Sequence, residues 1–204
     1  MIPNVDYIRI LPELVLCVVG VAIMMLDPLM GEHSSRKPLG WLGAIGTVAA
    51  LAATWYQASY QGLAWWGMVR VDSFSIFFHV TILLITLAAI LMSFEYLEQQ
   101  QIRMGEYYAL IVFAAVGMCL MSSAIELVLI FVALEISSIA TYVLAGFRRK
   151  AAESAESSLK YFLLGSFATA FFLYGVAMMF GATGSTNVTA IAAKLHQSQP
   201  VLAR

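Results

Sequence analysis

The stretch that decides the fold is residues 127–147, LVLIFVALEISSIATYVLAGF. It is apolar almost throughout and carries one ionisable side chain, Glu135, close to its middle. An α-helix rises about 1.5 Å per residue, so about 20 such residues cross a hydrocarbon layer about 30 Å thick. Inside that layer no water reaches an unpaired N–H or C=O, and a helix satisfies every backbone group within its own segment. Working outward, six runs of this kind cover roughly 8–26, 39–59, 74–95, 107–123, 126–147 and 158–180, while the alternation expected of a membrane barrel strand is absent. The expectation is an all-α integral membrane protein with about six transmembrane helices in a single membrane domain, 1–204.

Composition agrees. With 61% hydrophobic and 11% charged residues in 204, the chain has too little polar surface to cover a water-soluble globule. A formal charge of -1 gives no electrostatic reason to expect nucleic acid. Cys17 and Cys119 lie in separate apolar runs without a CxxC spacing, which suits packing rather than a disulfide, a metal site or a nucleophile. The first run follows Asp6 and Arg9 rather than a basic leader and is too long for a signal peptide core, so it reads as a retained span. Pro12 and Glu13 open it; a first-turn proline and an acid near the positive helix end explain both locally.

Loop charges set the orientation. Arg36, Lys37, Arg103, Arg148, Arg149 and Lys150 follow odd-numbered crossings, against Arg9 and Arg70 on the other side, which puts the N-terminus outside. Trp41, Trp55, Tyr56, Trp65, Trp66, Tyr96, Tyr107 and Tyr108 stand at run ends, where rings prefer the headgroup level. Between the fourth and fifth runs, Ser123 and Glu126 have capping-box spacing, predicting a tight turn that launches the fifth helix. After the sixth run, Gly181 and Gly184 end the span and Asn187 can cap a short interfacial helix over about 187–197, stopped by Pro200.

Glu135 lies about 13 Å from one end of its run and about 18 Å from the other, too deep to snorkel. A charge at a helix centre costs about 2.5 to 3.5 kcal/mol on insertion scales, so a carboxyl there is protonated, paired or wetted. Ser138 and Tyr142 share its face and form a polar stripe toward the bundle interior. Two roles fit: a proton-handling group, or a polar side chain gluing helices together. Lys160 stands three residues into the sixth run with Glu156 four residues earlier, so snorkelling with an intrahelical ion pair and a functional role both stay open. The rise places it about 13 Å from Glu135 in depth. His79 is a lone histidine read as interfacial, and Gly165 with Thr169 has the small-xxx-small spacing of close helix packing.

The segments LEISSIATYVL and LKYFLLGSF, and around them GEYYALIVFAAVGMCLMSSAIELVLIFV, closely resemble the antiporter-like membrane subunits of proton-pumping NADH:quinone oxidoreductase, respiratory complex I, of the N type. The openings LPE and VDSFSIFF are similar too, with less specificity. The resemblance implies the first part of an inverted-repeat fold of about fourteen helices, so that the chain is expected to stop before a seventh helix. It implies proton translocation through Glu135 and Lys160, with Glu135 paired to a lysine on a broken seventh helix. Implied as well are neighbouring antiporter-like subunits as partners, and a multi-pass place in a bacterial inner (cytoplasmic) membrane. NAD, FMN, iron–sulfur clusters and quinone would belong to other parts of the complex. The chain itself carries no Gly-rich dinucleotide turn or cysteine cluster, and no cofactor is expected on it. A subunit of a multisubunit sodium/proton antiporter and a structural membrane scaffold are the alternatives.

Overall fold

The computed structural model describes residues 4–31, 34–100, 104–148 and 151–198. A short α1 (Asn4–Ile8) leads into six long helices: α2 (Leu11–Leu26), α3 (Lys37–Gln57), α4 (Ser73–Gln99), α5 (Glu106–Ser123), α6 (Leu127–Ala145) and α7 (Ala152–Thr183). A final α8 (Val188–Ser198) follows. All six long helices are apolar and long enough to cross a membrane, α2 once the 3-10 turn that prolongs it to Leu29 is included. Large apolar side chains such as Phe74, Phe77, Met92, Leu164 and Phe167 face outward, as a lipid-solvated surface requires.

Helix α5 is the centre of the bundle and packs against α2, α3, α4 and α6; α7 adds on through α6. Leu16, Ile23, Leu83, Ile90, Tyr108, Val112 and Cys119 form its closed core. Close approach is set by small residues. At Gly117 an added Cβ would lie 2.6 Å from the Ala133 carbonyl oxygen and 2.6 Å from the Ser137 nitrogen, so α5 and α6 touch backbone to backbone. Gly165 of α7 performs the packing its spacing predicts: the Tyr142 ring lies directly over it.

Two expectations change. The sixth span starts at Ala152 rather than near 158, and at 32 residues it is about 48 Å long, well beyond a hydrocarbon core. Ser123 does not cap α6. It closes α5, its hydroxyl donating to the Cys119 and Leu120 carbonyls, while Glu126 is itself the N-cap and accepts from the Val128 and Leu129 amides at 2.8 and 3.3 Å. A carboxylate two or three residues from free amides satisfies them directly, without a reciprocal partner. The segment between α3 and α4, for which no element is predicted from the sequence, is a hairpin, β1 (Gly62–Ala64) against β2 (Val69–Val71), antiparallel with Leu63 opposite Arg70. Its turn holds Trp65 and Trp66 at φ 52° and 54°.

The hairpin belongs to a larger joint. Val69 bridges Ala124, Glu126 bridges Asn187, and main-chain bonds run from Ile125 N to Met68 O, Leu127 N to Thr186 O and Val188 N to Ile125 O. Asn187 caps α8 as its position predicts, accepting from the Thr189 and Ala190 amides, and donates to Gly67 O. Arg9 and Arg70 lie at this end; Arg36, Lys37 and Arg148 lie at the other, which agrees with the charge asymmetry. Arg103, Arg149, Lys150 and Pro200 fall outside the described residues.

Asp72 opens α4 with the reciprocal cap the fifth helix lacks. Its Oδ1 accepts from Ser75 N at 3.0 Å and Ser75 Oγ accepts from Asp72 N at 3.0 Å. Asp72→Ala is expected to cost about 1 kcal/mol, read as a lowered thermal midpoint in lipid or detergent.

Candidate functional site

Helix α6 presents two different faces. Ala133, Ser137 and Ala140 lie toward α5, with Gly117 against Ala133 and Ser137. Glu135, Ser138 and Tyr142 line the opposite face, turned away from α5 rather than toward the bundle interior as read from the sequence, because α7 packs there: the Tyr142 ring is buried between Tyr161, at 4.7 Å, and Phe162, at 5.8 Å, both on α7. The stripe therefore runs along the seam between α6 and α7. Glu135 is half-buried, about 12 Å in from the start of α6, and its Oε1 is shielded from solvent with no hydrogen-bond partner among the described residues.

Lys160 is not brought to Glu135. Ser154 Oγ donates to Ala145 O, Ser158 Oγ donates to Tyr142 O, and Phe131 stacks on Phe172; these rungs place Glu135 opposite roughly Phe167. Lys160 is then about 10 Å nearer the other end of the seam. It is exposed and holds Glu156 one turn away, the intrahelical pair expected from their spacing. With α7 beginning at Ala152, Lys160 is about 12 Å from the helix start rather than the 5 Å read from the sequence. Near that end a cavity of about 560 Å³ opens among α4, α6 and the start of α7, lined by Ser93, Tyr107, Arg148, Glu153 and Ser157. It adjoins the start of the seam through Ala145 and Ser154.

Two polar clusters escaped the sequence. Glu13, explained above as a helix-end acid, is 5% exposed, and His79, read as interfacial, is fully enclosed. The two are 3.4 Å apart, Oε1 to Nε2, across α2 and α4. A usable signal existed: the first and third runs both start on the same side, so polar residues early in each share a depth. The second cluster lies at the opposite end. Asp27 Oδ1 meets Arg36 Nε at 2.8 Å while Oδ2 accepts from Gly105 N at 3.1 Å. Among the described residues no group of three or more His, Cys, Asp or Glu side chains gathers in a way that could hold a metal.

The transmembrane family described as NADH:quinone oxidoreductase/Mrp antiporter matches residues 124–202, the part that contains the Glu135 stripe and Lys160. Over 98% of its length the chain is 63% identical to NADH-quinone oxidoreductase subunit N 2 of Koribacter versatilis (strain Ellin345). The chain belongs to the subunit N family of NADH-quinone oxidoreductase. It spans 43% of that relative's length. The subunit N likeness extends to a solved structure of respiratory complex I from Thermus thermophilus with bound aureothin. There 86% of this chain superposes on 38% of the other at a TM-score of 0.71 and 34% identity. An archaeal membrane-bound sulfane sulfur reductase complex shares the fold alone, at TM-score 0.75 and 21% identity over 94% of this chain and 40% of that one.

Proposed function

We propose that this chain is the first part of a proton-translocating membrane subunit of an NADH-quinone oxidoreductase in a bacterial inner membrane, and that Glu135 takes up and releases a proton within the bilayer. The observation that carries this is a carboxyl with a shielded oxygen on a lipid-spanning helix, on a polar stripe, in a chain 63% identical to a named subunit N. Burial penalises the charged form and a nearby cation rewards it, so a moving counter-charge can drive loading and release. Ser138 and Tyr142 would position donors and water along the stripe; Lys160, held by Glu156, lies at a depth between Glu135 and the cavity, on the exposed side of α7. NADH, flavin, iron–sulfur and quinone chemistry belongs to other subunits, and neighbouring antiporter-like subunits are the partners. The counter-charge for Glu135 that the family resemblance implies is a lysine on a following helix.

An ion-gradient-driven antiporter subunit would use the same carboxyl, and the matched family description covers both. The named relatives favour the oxidoreductase. The test is made in the assembled complex in vesicles. Glu135→Gln is expected to retain subunits and NADH binding but to lower proton pumping at least about tenfold. An assembled variant that pumps normally would overturn the reading. Loss of assembly in both Glu135→Gln and Glu135→Ala would instead make Glu135 a helix-packing residue.

A further inference from the structure

At the end of the bundle that the loop charges assign to the outside, both carboxylate oxygens of Glu13 and Nδ1 of His79 are buried without a hydrogen-bond partner among the described residues. These atoms belong to one cluster. Asp27 at the other end has a guanidinium 2.8 Å from Oδ1 and a backbone amide bonded to Oδ2, so that one of its two oxygens is hydrogen-bonded, whereas neither oxygen of Glu13 is. Glu13 faces the imidazole at 3.4 Å without hydrogen-bond geometry, and the Ser123 hydroxyl and the first-turn backbone are its other polar neighbours. The remaining acceptor and donor positions are left open, which is costly for a group fixed merely to hold helices together.

The imidazole has a defined handedness. His79 Nε2 lies 3.0 Å from the Cys119 carbonyl oxygen, and a carbonyl only accepts, so Nε2 carries hydrogen. Nδ1 is then the nitrogen whose protonation can change. With a proton there, an imidazolium faces the Glu13 carboxylate; without it, a buried carboxylate lacks its counter-charge unless the proton resides on the carboxyl itself. Both arrangements contain one proton more than the fully deprotonated pair. Among the described residues the neighbouring side chains of α2, α3 and α5, namely Cys17, Thr54, Gln57, Cys119 and Ser123, carry no positive charge, and the Arg9 guanidinium just before α2 is held by Asp6 and by the carbonyls of the hairpin segment. Thr54 Oγ1 is committed to Ala50 O and Gln57 Nε2 to Arg9 O, while Ser123 Oγ, which closes α5, is also the hydroxyl nearest the Glu13 carboxyl.

We propose that Glu13 and His79 form a second proton-binding site, separate from Glu135, that exchanges one proton with the outer aqueous phase. Its depth suits exchange: Glu13 is the third residue of α2, and His79 is about 9 Å into α4. Between the pair and that end of the bundle lies Arg9, whose guanidinium holds the Tyr60, Gln61 and Leu63 carbonyls beside the hairpin.

The experiment uses the full-length subunit in its resting complex, reconstituted in lipid without NADH, so it does not depend on whether Glu135 pumps. Infrared difference spectra are recorded as the bulk pH steps between about 5 and about 8. A carboxyl C=O signal is expected that disappears in Glu13→Gln, moves by about one pH unit or more in His79→Gln, and returns in the exchanged pair Glu13→His with His79→Glu. The absence of any Glu13 signal, or a signal indifferent to His79→Gln, would overturn the proposal and leave the pair a fixed staple between helices. If Glu13→Gln does not assemble, nitrogen-15 spectra of the native complex decide. A His79 Nδ1 resonance that changes across the same pH range supports the site, and one that stays constant overturns it.

Discussion

Replacing Gly117 with alanine is expected to destabilise the bundle by about 3 kcal/mol, and replacement with leucine to prevent accumulation of the subunit. The reason is geometric. The new Cβ would meet the Ala133 carbonyl oxygen and the Ser137 amide nitrogen at 2.6 Å, with Ser137 Cβ at 2.9 Å. Two of those three atoms are main chain and cannot rotate away, so α5 and α6 must separate. Since α5 also supports α2, α3 and α4, separation loosens the whole core. Contrast Gly20, where an added Cβ would meet the Phe113 ring at 2.9 Å. A side chain can shift there, and Gly20→Ala is expected to cost no more than about 1 kcal/mol. Thermal unfolding of the two variants in the same lipid checks the difference; equal losses would mean that backbone contact at Gly117 is not limiting.

The second large effect concerns Asp27. Its carboxylate ties together the loop after α2, through Arg36, and the first turn of α5, through the Gly105 amide. Arg36 also donates to the Gly31 and Met30 carbonyls, so the loop closes around the guanidinium. Asp27→Ala leaves a largely enclosed cation unpaired and a helix-end amide free. The expected cost is about 2 to 3 kcal/mol, toward the low end for broken buried pairs because both side chains keep some contact with water. Asp27→Asn should recover part of this, since an amide oxygen can still accept from Gly105. Protease sensitivity of the loop and the thermal midpoint are the measurements, and an unchanged Asp27→Ala protein would show that the pair is dispensable.

These two sites also show where sequence reasoning ends. The six spans, the Glu156–Lys160 pair and the Asn187 cap were legible because each depends on neighbours a turn or so away, or on length alone. Glu135 was legible because a carboxyl inside an apolar run contradicts its surroundings. Asp27 with Gly105, and Glu13 with His79, depend on which helix faces meet. In a water-soluble helix the apolar stripe announces that face; helices apolar all round carry no such mark. The hairpin was hidden for another reason, since its three-residue strands are shorter than any pattern an alternation can establish. At Glu126 the spacing was right and the roles were not, because one carboxylate can reach two amides without help from Ser123.

The joint linking the hairpin, residues 124–126 and residues 186–188 is built from N–H and C=O groups, with Asn187 as its chief side-chain member. Such a seam is indifferent to most of the letters written along it. Spelling there is free to drift while the contour persists, with proline at Ile125 or Val188 the forbidden character because it would delete a donor. Relatives could thus share this corner's shape long after their wording has parted.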